Sequence, residues 1–384
     1  MDGSPRRSNN SPALRMRFVR RPNRVAHRKP PAGPAIPPQA AQDLLAWFHR
    51  ERRALPWRRS RDPYRIWVAE VLLQQTRVAQ AAPYFERFIA RFPSLRALAS
   101  SDLDDVLKIW QGAGYYARAR RLRDAARLLV RTAGGSVPRS VEALESLPGV
   151  GPYTARAVAA LAFGEAVVPL DANVLRVAAR WTGETREVRR PTVRSRLDER
   201  LARTLPPRDP GAFAEAVMEL GETICLPRNP RCSRCPVSAS CRAFLQLDEP
   251  GSLPRRPARR RRVHQRASIV TLHRKGRWFV QRRPAGGLLG GLWEFPGGKI
   301  EDGEEPEAAA RRELAEETGA TAGPLRSVGI VRHGYSHFTV ELHVFRGAVH
   351  RAPRPGPDRR WASLAEIARL PLPRATEKIL RLLR

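Results

Sequence analysis

Residues 147–155 read LPGVGPYTA, and an apolar helical pattern, RAVAALAF, follows at 156–163. The two glycines around Val150 permit a tight turn. Pro152 suits the first position of a helix, where its missing N–H is no loss. A loop of this kind leaves the N–H groups of Gly149, Val150 and Gly151 pointing outward at a helix start, where an anion can bind. The stretch therefore reads as loop and then helix, with Tyr153 in the helix's first turn.

The pattern stays helical on both sides of this loop. From about residue 40 to 247, AQDLLAWFHRE, IWVAEVLLQQTRVAQAA, DLDDVLKIWQGAG and ANVLRVAARW carry apolar residues at three- and four-residue steps. Residues 1–39 are rich in Pro, Arg, Asn and Ser without any period, and are expected to form a disordered basic tail. DEPGSLPRRPARRRRV breaks the pattern with prolines and arginines, so residues 248–262 read as a basic linker. From 263 to 384, ASIVTLHR, RWFVQRR and FTVELHVF alternate like strands around one helix, EPEAAARRELAEETG. The expected fold is an all-α domain followed by a smaller α+β domain.

The formal charge of +33 fits a polyanionic partner, most simply nucleic acid. Lysine supplies little of it: Lys29, Lys108, Lys275, Lys299 and Lys378 are the only five in the chain. An arginine bias in a chain rich in alanine and proline permits a nucleic-acid partner without proving one. No apolar run approaches the ~20 residues of a membrane span. No secretory apolar segment follows the basic start, so a cytoplasmic, monomeric protein with no membrane partner is expected.

All four cysteines, Cys225, Cys232, Cys235 and Cys241, lie on one loop with the spacing Cys-x6-Cys-x2-Cys-x5-Cys. Thiols packed this tightly in a cytosolic chain argue for a metal group rather than disulfides. On chemistry alone, zinc and a cubane iron–sulfur cluster fit four thiolates about equally well.

Two carboxylates stand out in the helical part. Glu70 lies inside IWVAEVLLQQT, with Ile66, Trp67, Leu73 and Gln74 as its helical neighbours and no local basic partner. Desolvation there would raise its pKa towards that of a general acid at neutral pH. A solvated helix face is the simpler reading of this residue alone. Asp171, in VVPLDANVLRV, precedes an apolar helix, where aspartate is a preferred N-cap.

The order of loop, Pro–Leu–Asp and four-cysteine segment resembles the helix-hairpin-helix, iron–sulfur DNA glycosylases of the endonuclease III superfamily. Within it the likeness is to the adenine DNA glycosylase (MutY) family. LPWRRSRDPYRIWVAEVLLQQTRV, QGAGYYARAR, LPGVGPYTARA, LDANVLRVAAR and FAEAVMELGETIC carry the resemblance. It implies a helix-hairpin-helix at about 137–165 and a [4Fe–4S] cluster on the 225–241 loop. It also implies a DNA phosphate as the anion held by Gly149, Val150 and Gly151. Glu70 would protonate adenine, Asp171 would stabilise the sugar cation, and Tyr153 and Asn173 would assist beside Asp171. Gln75 and Tyr116 would work at the gap left by the flipped base, and Glu215 would read the adenine edge. The implied partner is double-stranded DNA containing A:8-oxoguanine or A:G mispairs. Bifunctional relatives carry a lysine where Tyr153 stands, so the resemblance implies a monofunctional glycosylase; the alternative is an endonuclease III-like glycosylase and lyase.

GKIEDGEEPEAAARRELAEETGA resembles the Nudix box, from Gly298 through Glu304 to Gly319. Glu313, Glu316 and Glu317 would share one helix face and could bind Mg²⁺. Tyr335, Ser336 and His337 resemble the loop by which adenine glycosylases contact 8-oxoguanine. Recognition of that base is the expected role of this Nudix-like domain, with hydrolysis of oxidised nucleoside triphosphates as an alternative.

Overall fold

The computed structural model describes residues 36–255, 263–335, 338–354 and 356–383. The tail up to residue 35, linker residues 256–262, Ser336, His337 and residues 355 and 384 lie outside these described residues. Among those described, no helix is long and apolar enough to cross a membrane.

The first part is helical throughout. Its elements are α1 (Pro38–Glu51), α2 (Pro63–Leu73), α3 (Val78–Arg91), α4 (Leu95–Ser100), α5 (Leu103–Trp110) and α6 (Ala117–Thr132). There follow α7 (Val141–Glu145), α8 (Pro152–Phe163), α9 (Ala172–Thr182), α10 (Pro191–Ala202), α11 (Pro210–Thr223) and α12 (Arg242–Gln246). Local chemistry starts and stops these helices. Asp62 accepts the Arg65 amide at 2.8 Å ahead of Pro63, and Asp171 accepts the Val174 amide at 2.6 Å. Gly164 and Gly183 close α8 and α9 in the left-handed conformation.

Two apolar cores divide this part. One gathers α2 to α6 and α8 around Trp67, Phe85, Phe88 and Trp110. The other joins α1, α9, α10 and α11 around Phe48, Trp181 and Phe213. The expected tail reached residue 39, but α1 begins at Pro38 and buries Ala40 and Ala41 against α11. The first residues of the expected linker also pack: the Leu253 carbonyl accepts from Arg180 Nε at 2.8 Å.

The second part is a mixed sheet with helices. It comprises β1 (Val263–Arg274), β2 (Arg277–Arg282), β3 (Trp293–Glu294), β4 (Gly297–Lys299), α13 (Pro306–Thr318), β5 (Thr321–Ala322) and β6 (Arg326–Gly334). It ends with β7 (Phe338–Arg351), β8 (Arg359–Ala362), α14 (Leu364–Arg369) and α15 (Arg374–Leu382). β1 and β7 pair in parallel from Val263↔Phe338 to His273↔Ala348, and β6 returns antiparallel on β7. α13 packs on β1 and β4.

The two parts are joined by shared packing. Leu292, ahead of β3, is fully buried within the α2–α8 core. Lys108 Nζ donates to the carbonyls of Ala368 and Leu370 at 2.8 and 3.0 Å. Arg282 pairs with Asp104 at 2.9 Å, Arg120 donates to the Gly290 carbonyl, and Gln111 bonds Glu377.

α8 and α11 approach so closely at Gly211 that a Cβ there would lie 2.4 Å from the Ala160 carbonyl oxygen. Backbone cannot swing aside as a flexible side chain can. Gly211→Ala should therefore force these helices apart and destabilise the protein by about 1–3 kcal/mol, read as a lowered midpoint in urea unfolding.

Candidate active site

The site forms where α2, α8, α9 and α11 meet. Glu70 lies on α2 and is 2% exposed. Tyr153, in the first turn of α8, donates its hydroxyl to Glu70 Oε2 at 2.7 Å. Burial pushes the Glu70 carboxyl up to about 7; the tyrosine bond opposes this shift, and the charges of Asp171 and Glu215 add to it. Burial likewise pushes the Tyr153 hydroxyl well above its usual range, so it remains a donor.

Asp171 lines the same cavity as Glu70, Tyr153, Asn173 and Glu215. Burial raises its carboxyl as well, but the amides of Val174 and Asn173 and the nearby Arg176 favour its ionised form. The cap position thus does two things. It starts α9 and it holds a carboxylate at the cavity wall. Asn173 is fixed between Glu222, by a bond of 2.5 Å, and Arg176, at 2.9 Å.

Sequence reasoning missed the guanidinium groups of this cavity. Arg58, on the short turn Pro56–Arg59, bonds Glu215 at 2.5 Å and Glu219 at 2.9 Å while packing over the Phe48 ring. Arg53 closes on Glu219 from the other side at 2.6 Å. Burial alone would raise Glu219, yet these two cations hold it below the usual carboxylate range. The overlooked signal was in α11: Glu215, Glu219 and Glu222 recur at four and three residues on a largely apolar helix. Such a stripe of acids needs either water or cations.

The LPGVGPYTA stretch forms the expected turn between α7 and α8. Gly149 has φ 78°, and a Cβ there would strike the Arg121 Cβ at 2.5 Å. Gly149 and Gly151 are exposed, and their amides reach no backbone carbonyl among the described residues; Val150 is buried and its amide turns back to Leu147. Two outward amides at a helix start therefore remain available to an anion.

One expected assignment is corrected. Tyr116 is 4% exposed, and its hydroxyl accepts the Gly112 amide at 3.1 Å, so it faces the interior between α15 and the 111–116 loop. Its neighbour Tyr115 is the exposed ring, and its hydroxyl donates to Gln75 Oε1 at 3.0 Å. Adjacent tyrosines in a tight loop point opposite ways, and sequence alone did not say which.

The four cysteine side chains line one small apolar cavity with Ile224, Pro230, Phe244 and Pro250. Arg180 donates to Cys225 Sγ at 3.3 Å, and amides of Val237, Ala243 and Phe244 point at the sulfurs of Cys235 and Cys241. No three of these thiols, nor any other His, Cys, Asp or Glu trio among the described residues, converge on a single ion. The thiols surround a space. Four thiols with cationic and amide donors on their sulfurs form a donor set suited to a metal group held by thiolates.

The glutamates of the Nudix-like helix do not form the expected Mg²⁺ cradle. Arg312 draws Glu313 and Glu304 to itself at 2.9 Å and Glu316 at 3.3 Å. Glu317 turns inward instead, to Gln281 at 2.6 Å and the Gly297 amide at 3.1 Å. Helical spacing placed them on one side, but their carboxylates are engaged by Arg312, Gln281 and the Gly297 amide, and no three of them converge on an ion among the described residues. Tyr335 stacks on Phe338 with ring centroids 4.7 Å apart, at the rim of a cavity of about 300 Å³ that also holds Glu294 and Arg283.

Comparison with known proteins gives two family matches. Residues 68–203 match the HhH-GPD superfamily of base excision DNA repair proteins, and residues 267–382 match the NUDIX domain. The adenine DNA glycosylase of Mus musculus is 33% identical over 398 residues, covering 88% of this chain and 77% of that protein. That of Homo sapiens is 34% identical over 400 residues, covering 88% and 72%. Among solved structures, a thermostable thymine-DNA glycosylase is 30% identical with a TM-score of 0.48, covering 53% of this chain and 94% of that one.

The site makes a prediction of its own. The Glu70 carboxyl, followed by isotope-edited infrared or carbon NMR, should titrate near pH 7, protonated below and ionised above. Tyr153→Phe removes the one hydrogen bond that lowers this pKa, so the midpoint should move to higher pH; a midpoint near 4.5 in the wild type would contradict the burial.

Proposed function

Because the chain belongs to the adenine DNA glycosylase family, we propose that its substrate is adenine opposite 8-oxoguanine, or guanine, and that it leaves the strand intact. It is a base-excision repair enzyme, hydrolysing the N-glycosyl bond of adenine in DNA. The observation that carries the mechanism is the buried Glu70, bonded by Tyr153 and sharing one cavity with Asp171.

Adenine leaves poorly as an anion, so its ring must gain a proton as the base–sugar bond breaks. With a pKa near 7, Glu70 is protonated in a large fraction of molecules at neutral pH and can deliver that proton to N7. Tyr153 occupies Oε2, which leaves Oε1 for the base. The bonding pair departs with the base, and the positive charge left on the sugar is met by Asp171 before water adds. The backbone amides of Asn173 and Val174 at the start of α9 keep that carboxylate in place, and Glu215, restrained by Arg58, faces the same cavity as a contact for the adenine edge. Gln75 and Tyr115 fill the gap in the duplex, and the outward amides of Gly149 and Gly151 hold a backbone phosphate.

Two observations favour a monofunctional reaction. Tyr153 stands at the cavity where a lysine nucleophile would be needed. Lys108 is the only lysine between residues 40 and 250, and its amine is spent on the carbonyls of Ala368 and Leu370. In the C-terminal part, the stacked Tyr335 and Phe338 flank the Ser336–His337 segment proposed to contact 8-oxoguanine. Cys225, Cys232, Cys235 and Cys241 would hold a [4Fe–4S] cluster, which when bound supplies a covalent staple and a one-electron centre.

Glu70→Gln should bind an A:8-oxoguanine duplex like the wild type but excise adenine at least about 100-fold more slowly, the lower end of the range for a lost general acid. Strand breaks should appear in wild-type reactions only after alkali; efficient borohydride trapping of a protein–DNA adduct would restore the lyase reading. Anaerobically purified protein should contain iron and acid-labile sulfide in about equal amounts, whereas stoichiometric zinc in active enzyme would overturn the cluster assignment.

A further inference from the structure

Arg118, in the first turn of α6, makes an unusual set of contacts. Its Nη1 donates to the carbonyls of Val71 at 2.5 Å, Leu72 at 3.2 Å and Gln74 at 2.5 Å, at the end of α2. Its Nη2 donates to the carbonyls of Ala113 at 3.1 Å and Gly114 at 3.0 Å, in the 111–116 loop. The guanidinium also lies 5.4 Å from the Trp110 ring and 5.5 Å from that of Tyr115. Burial pulls it down to about 10, and no carboxylate opposes the shift. A cation taken out of water without an acid is costly. Here the negative end of the α2 dipole and the loop carbonyls replace the acid.

The two segments it joins carry Gln75 and Tyr115. Both adopt positive φ, 65° and 48°, a region thinly populated by residues with a Cβ. Both are exposed, and the tyrosine hydroxyl bonds the glutamine side chain across the gap between the segments. On the inner side Gln74 is anchored again, through Nε2 to Thr154 Oγ1 at 2.8 Å, next to Tyr153. The strained pair thus stands on a cationic bolt that also reaches the helix bearing Glu70.

We propose that Arg118 is a positioning residue that fastens Gln75 and Tyr115 into a single preformed wedge, so that the duplex opens beside Glu70 without reorganising the protein. This rests on the reading of Gln75 and Tyr115 as the residues that fill the opened duplex. Lysine keeps the charge but is a point donor that cannot span five carbonyls on two segments.

The test compares two substrates in single-turnover excision: adenine opposite 8-oxoguanine in a duplex, and adenine already unstacked in a single-base bulge. Arg118→Lys should lose about 100-fold on the duplex, the scale of a misplacement of about 1 Å, and stay within about threefold of wild type on the bulge, where no wedge is needed. Arg118→Gln is the second variant, and turnover of the bulge is itself the check that either variant is folded. In a Glu70→Gln background, 2-aminopurine at the target position should brighten on binding, and much less so when Arg118→Lys is added. Equal losses on the two substrates, or unchanged 2-aminopurine emission, would mean that Arg118 only supports the fold and would overturn the proposal. Gln75→Ala separates the premise: if it slows the duplex reaction and Arg118→Lys does not, the positioning role fails; if neither slows it, the wedge itself fails.

Discussion

A hydroxyl on one helix and a carboxyl on another, 2.7 Å apart and shut away from water, set the terms for the rest of this molecule. Without the Tyr153 donor, burial would act on Glu70 almost unopposed, and the acid would hold its proton too tightly to deliver it easily. With a cation in direct contact, the carboxyl would be ionised and useless as an acid. The cavity instead keeps its arginines one residue away. Arg58 and Arg53 are occupied by Glu215 and Glu219, so Glu70 feels Arg58 only through space. Two carboxylates of α11 serve the acid by occupying the cations near it.

The same hydroxyl–carboxyl bond fixes geometry. Tyr153 belongs to the first turn of the helix whose preceding loop offers amides to an anion. A phosphate seated at Gly149 and Gly151 is thereby in register with the acid, because one rigid helix start carries both. On the other side, α2 carries Glu70 inward and ends at Gln74 and Gln75. The proposed acid, phosphate grip and wedge are therefore mounted on two helices that touch.

Much of this was legible in the sequence, for identifiable reasons. The loop at 147–151 was readable because glycine, proline and a following apolar period each carry a local mechanism. Asp171 was readable twice over: its capping role is local, and the same amide bonds that cap α9 hold the carboxylate at the wall of the cavity. Glu70 was ambiguous, since burial depends on what α8 and α11 bring to it, and its nearest cation comes from a turn twelve residues upstream. The choice between Tyr115 and Tyr116 was beyond sequence reasoning, because loop handedness decides it. The Nudix-like glutamates mark a different limit. Helical spacing brings residues to one face, but where the carboxylate oxygens point was decided by Arg312 and Gln281.

Leu292 sits in the sheet domain's chain yet is buried in the helical domain's core. Hydrophobic burial of this kind makes the two parts thermodynamically interdependent, as neighbouring repeats are in a solenoid. Each contributes surface that the other needs covered. Cutting the chain at the linker would expose the contacts of Leu107, Trp110 and Leu292 to water and release Lys108 from its carbonyls. A fragment's altered substrate preference would then mix lost recognition with a loosened helical core. The buried Leu292 and the Lys108 bonds thus tie the stability of each part to the presence of the other.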